Sequence, residues 1–74
     1  SDAMQTEEEA NALTYCIGTL SNEQQVSINY FYLEEKSYAD IVKLTGFSLN
    51  KVKSYIQNGK RNLKTCILKV LGQR

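Results

Sequence analysis

The 74-residue chain contains no histidine, proline or tryptophan. Without histidine there is no serine-histidine triad, no histidine-ligated zinc and no imidazole acid–base chemistry. Without proline, no residue breaks a helix outright. Cysteine occurs only at Cys16 and Cys66, too few for a zinc site on their own. A disulfide across the fold is open to this pair. In a chain showing no secretory signal, two reduced core thiols are the favoured expectation. No apolar run approaches the roughly 18 residues needed to span a membrane. Acidic residues are missing from the whole of residues 41–74.

That last absence is the main signal. The formal net charge is only +1, but its placement is lopsided. All eight acids lie within residues 1–40, where Lys36 is the sole base. Residues 41–74 carry Lys43, Lys51, Lys53, Lys60, Arg61, Lys64, Lys69 and Arg74 and no acid. A basic half of this kind suits a polyanion. Two alternatives stay open: the halves neutralise each other inside one fold, or the bases form a solvated helix face.

The pattern of what remains is helical. Ser1-Asp2-Ala3 ahead of Met4 reads as an expression scar and is left out of fold reasoning. Thr6-Glu7-Glu8-Glu9 has the form of a capping box, with Leu13, Cys16, Ile17 and Leu20 behind it, predicting a first helix over about 6–18. Ser21-Asn22-Glu23-Gln24 repeats the box, with Ile28, Phe31 and Tyr32 as the inward stripe of a second helix, 21–33. Ser37 and Asp40 open a third helix, 37–44, whose apolar side is Ile41, Val42 and Leu44. Gly46 fits the left-handed residue that ends it.

Ser48 caps a fourth helix, 48–70. Leu49, Val52, Ile56, Gly59, Leu63, Ile67 and Val70 recur there at spacings of three and four, one buried stripe. Its other face holds Asn50, Lys51, Lys53, Ser54, Gln57, Asn58, Lys60, Arg61 and Lys64. Every one of these can donate a hydrogen bond. The fold class is therefore all-α, a compact four-helix domain with no winged-helix strands. A short helix, a glycine turn and a longer helix form a helix-turn-helix, whose second helix enters the DNA major groove. Val42, Val52 and Ile56 are expected to pack its two helices, with Phe47 and Leu49 closing the turn. Lysine and arginine neutralise phosphates, Asn and Gln pair with adenine, and Ser48 with the first N–H groups of the helix can hold a phosphate. Tyr38 and Tyr55 read as core or rim. The carboxylate pairs lie in turns or helix starts, so no enzyme, metal or cofactor is expected.

The stretches Ser37-Tyr38-Ala39-Asp40-Ile41-Val42, Thr45-Gly46-Phe47-Ser48, Lys51-Val52-Lys53-Ser54 and Lys60-Arg61-Asn62-Leu63-Lys64, with Leu20-Ser21 and Gln24-Gln25 upstream, carry a further likeness. Together they resemble region 4 of bacterial RNA polymerase sigma factors, most closely the extracytoplasmic-function type and a variant common in Bacteroidetes. The resemblance covers about residues 10–70. It implies a single region 4-like domain over residues 4–74, cut from a longer cytoplasmic factor. It implies binding to the promoter −35 element and docking on the flap of the polymerase β subunit. An anti-sigma factor is a further candidate partner; a membrane is not.

Carried over position by position, the base-facing residues are Lys53, Ser54, Gln57 and Asn58. Asn50 and Lys51 fall at backbone contacts. Lys60, Arg61 and Lys64 are assigned to phosphates on charge alone. The chain departs from the family pattern at Tyr55 and Asn58, where arginine is frequent, at Val42 and Gly59, where alanine is, and at Lys51, where threonine is usual. Two other readings stand beside this one. A helix-turn-helix regulator of response-regulator output type would read paired half-sites as a dimer. A protein-interaction module would use the first two helices and lack DNA affinity.

Overall fold

A computed structural model describes the backbone of residues 2–72 and the side chains of residues 7–72. Four α-helices follow in order: α1 (Asp2–Gly18), α2 (Asn22–Ile28), α3 (Tyr38–Thr45) and α4 (Leu49–Gly72). A π-helical segment, Asn29–Leu33, continues α2. Among the described residues there is no strand. The all-α expectation holds, and each helix lies within a few residues of its predicted place except at the chain start.

α1 begins at Asp2, four residues ahead of the expected start. Thr6 therefore lies inside the helix and does not cap it; its hydroxyl lies outside the described side chains. The physical reason is that Asp2-Ala3-Met4-Gln5 contains no helix breaker and opens with an acid, which suits the positive helix end.

The other starts follow the side-chain oxygens. Ser21 Oγ accepts from the Gln24 N–H at 3.2 Å, the forward half of the box alone, and the Gln25 side-chain amide separately donates to the Leu20 carbonyl at 3.0 Å. Ser37 and Asp40 make the full capping box: the Asp40 N–H donates to Ser37 Oγ at 3.0 Å, and the Ser37 N–H to Asp40 Oδ2 at 3.2 Å. These bonds hold the Asp40 carboxyl below its ordinary pKa, with Ser37 the leading cause and Lys36 and Lys43 adding to it. Ser48 Oγ accepts from the Lys51 N–H at 3.2 Å, starting α4.

The π segment leaves its last residues one step out of α register. The Glu34 N–H donates to the Asn29 carbonyl at 3.1 Å and the Lys36 N–H to the Tyr30 carbonyl at 2.9 Å. Glu35 closes the element in the left-handed region, at φ 55°. The looser turn rotates its side chains relative to an α-helix. Tyr32, assigned to the inward stripe, is 46% exposed as a result, and Leu33 is 66% exposed.

α4 is the spine. At about 1.5 Å per residue its 24 residues reach about 36 Å, most of the 41 Å long axis. α1, α2 and α3 all pack on it. Ile28, Ile41, Val52, Ile56 and Leu63 form the core with Cys16 and Leu20. Two expected core residues lie elsewhere: Leu44 is 54% exposed and Leu49 46% exposed. Leu44 sits in the last turn of α3 and Leu49 in the first turn of α4. Gly59 is buried because α2 presses on it: a Cβ there would stand 2.9 Å from Ile28 Cγ1 and 3.2 Å from Ile28 Cδ1. α4 runs through this position as continuous α-helix, so glycine serves close packing.

The cysteines correct the expectation of free thiols. Cys16 and Cys66 form a disulfide joining α1 to α4, their Cα atoms 5.8 Å apart across 50 residues of chain. The expectation of free thiols rests on the lack of a secretory signal, with a disulfide left open, and only Cys16 falls on a helix stripe. The packing of α1 along α4 sets the two cysteines face to face at bridging distance, which no local pattern displays.

Candidate nucleic-acid interface

The turn between α3 and α4 is built on Thr45, Gly46 and Phe47. Gly46 takes the left-handed conformation, φ 80°, and its N–H donates to the Val42 carbonyl at 2.8 Å. Thr45 Oγ1 donates to the Ile41 carbonyl at 2.6 Å and accepts from the Phe47 N–H at 3.1 Å, so one hydroxyl braces both sides of the turn. Phe47 packs edge-on to Tyr55 at 5.3 Å between centroids, which clamps the turn to the second turn of α4. Tyr38 stacks on Phe31 at 5.2 Å. Both tyrosines are half-buried, as core or rim positions should be.

The buried side of α4 is Val52, Ile56, Gly59 and Leu63. At about 100° per residue, Asn50, Ser54, Gln57, Arg61 and Lys64 fall within about 80° of one another on the opposite side. Lys51 and Asn58 flank this line on one edge, Lys53 and Lys60 on the other. All of these except Asn58 are exposed. Ser48 is also exposed at the helix start, its hydroxyl already engaged as the cap. Among the described residues none of the α4 lysines, nor Arg61, sits in an ion pair.

One local network modifies the sequence assignment. Asn58 Nδ2 donates to Ser54 Oγ at 3.2 Å, and Arg61 Nη2 donates to Asn58 Oδ1 at 2.8 Å. Asn58 is thus a half-buried link that aims the Arg61 guanidinium along the face. Ser54, Asn58 and Arg61 act as one chain of donors rather than three separate ones.

A second surface was missed by residue-by-residue reading. Leu13 and Ile17 of α1, Ile28, Tyr32 and Leu33, and Leu63, Ile67 and Leu68 of α4 line an apolar groove of about 470 Å³. Lys60 and Lys64 also line it. Leu33 and Leu68 are the most exposed of its walls, at 66% and 64%. The only signal in the sequence is a surplus of apolar residues on either side of the buried stripes.

A glycine-turned pair of helices, with an acid-free donor face on the second, defines a helix-turn-helix DNA-binding domain. The family it falls in is more specific: the model of the family described as Sigma-70, region 4 matches residues 10–63, well over half the chain. The chain belongs to that family, whose domains bind promoter DNA and RNA polymerase. No curated protein and no solved structure matches the chain significantly. Among the described residues no helix is long and apolar enough to cross a membrane.

Proposed function

We propose that this domain is the −35-reading, polymerase-docking end of an extracytoplasmic-function sigma factor. The observation that carries the reading is the face of α4 opposite its core: donors throughout, no acid, and no cation held in an ion pair among the described residues. Lys53, Ser54 and Gln57 read base edges in the major groove, with Asn58 steering Arg61. Asn50, Lys51, Lys60, Arg61 and Lys64 hold phosphates, and Ser48 presents the start of the helix to the backbone. The apolar groove beside Lys60 and Lys64 receives the flap of the polymerase β subunit. An anti-sigma factor would compete for the same surface.

The test is anisotropy with a randomised duplex pool at low and physiological salt, followed by sequencing of the retained fraction. A short asymmetric motif is expected, because one domain reads one site. With about four phosphates neutralised, the log–log slope of affinity against salt is about −3.6. Gln57→Ala should flatten preference at one or two positions, worth about 1–3 kcal/mol of discrimination. Lys64→Ala should weaken all sequences alike. Enrichment of a palindrome would favour the dimeric regulator instead.

A further inference from the structure

We infer that the Cys16–Cys66 bond is a reducible clasp on the apolar groove, so that docking, but not DNA reading, responds to thiol redox state. The inference rests on the reading of the groove as the docking surface.

Three observations lead to it. First, the bond ties together the two walls that face across the groove. Cys16 lies beside Ile17 and one turn from Leu13; Cys66 lies between Lys64 and Ile67, and all four neighbours line the groove. Second, among its described residues α1 brings no large fully buried side chain to its packing on α4. Its buried side chains are Ala12 and Cys16, both small, with Ile17 half-buried. Tyr15 is 63% exposed. Third, most of the core under the helix-turn-helix comes from other helices, with α1 adding Cys16 to the same cluster. Ile28, Ile41, Val52 and Ile56 come from α2, α3 and α4. Loss of α1 thus removes one wall of the groove and leaves the DNA-binding face supported.

The chemistry is thiol–disulfide exchange with a dithiol reductant. Cys16 is fully buried and Cys66 half-buried, so the incoming thiolate attacks Cys66 Sγ. A new sulfur–sulfur bond forms there, the Cys16–Cys66 bond breaks, and Cys16 leaves as a thiolate that takes up a proton. The reductant's second thiol then attacks its own sulfur in the mixed disulfide and releases Cys66, which is protonated in turn. Two electrons and two protons pass to the cysteines, and the dithiol becomes a disulfide.

Amide hydrogen exchange on the whole domain, oxidised and after dithiothreitol, tests the clasp without any partner. Reduction should speed exchange of α1 amides at least about tenfold more than exchange in α3 and the first half of α4. Unchanged α1 protection would overturn the inference. So would equal loss in all four helices, which would make the bond a global staple. Cys16→Ala/Cys66→Ala should exchange like the reduced protein and ignore dithiothreitol. In parallel, binding to core RNA polymerase should weaken by about tenfold on reduction with duplex binding held within twofold. Leu68→Glu separates the two claims. If it abolishes polymerase binding while reduction does not alter binding, the clasp fails and the docking groove stands. If it leaves polymerase binding intact, the docking reading fails, and the redox claim on docking fails with it.

Discussion

The two halves of α4 face different problems. Its N-terminal half is braced on one side by α3 and a capped, left-handed turn, and shows solvent a line of donors. Its C-terminal half is braced by α1 through a covalent bond and shows solvent an apolar groove. The first surface is polar and cationic, so its affinity must fall with salt. The second is apolar, so its affinity must be nearly indifferent to salt. Lys60 and Lys64 lie where the two meet. One helix therefore sets the distance and angle between two binding events, with rigid register supplied by its continuous backbone.

The comparison can be broken first at its covalent end. Reduction, or Cys16→Ala/Cys66→Ala, should cost about 2–4 kcal/mol, since the bond closes a 50-residue loop. Thermal unfolding with and without reductant checks this. An unchanged midpoint would mean that α1 contributes little to the fold. Next comes the crossing point of the halves. Gly59→Ala forces a Cβ against Ile28, which is 2% exposed and has nowhere to go. Overpacking of about 1–3 kcal/mol outweighs the gain of about 1 kcal/mol in helix propensity. A double-mutant cycle with Ile28→Ala should show the two substitutions partly cancelling.

A smaller effect of opposite sign is expected at Ser27. Its hydroxyl is fully buried and has no hydrogen-bond partner. Ser27→Ala should stabilise the domain by about 1 kcal/mol in denaturant unfolding. The smallest effect belongs to the α3 cap. Because the folded Asp40 carboxyl lies below its ordinary pKa, the unfolded chain binds this proton more readily. The capping contribution is complete above the ordinary carboxylate range and is lost as pH falls through the lowered value. Asp40→Asn should remove that part of the acid sensitivity and leave neutral-pH DNA binding intact.

What was legible in the sequence was local. Ser37, Asp40, Gly46 and Ser48 each act within four residues of themselves, and each does what its type and spacing predict. The helical spacing of Val52, Ile56, Gly59 and Leu63 likewise located the core side of α4, and with it the donor face opposite. What was hidden was relational. The disulfide depends on where α1 meets α4, 50 residues away. The π segment over Asn29–Leu33, where Tyr32 and Leu33 are exposed, follows from no local residue pattern. Leu44 and Leu49 match the apolar period but sit at helix ends and are 54% and 46% exposed. Asn58 carries a base-reading residue type, yet its neighbours one turn away engage it along the helix.

The most direct test of two independent surfaces on one spine is a crossed measurement. Gln57→Ala and Leu33→Asp are each titrated against a duplex bearing the enriched motif and against core RNA polymerase. The account predicts that Gln57→Ala weakens only the duplex interaction and Leu33→Asp only the polymerase interaction. A single substitution that weakens both, with the fold intact by circular dichroism, would contradict it.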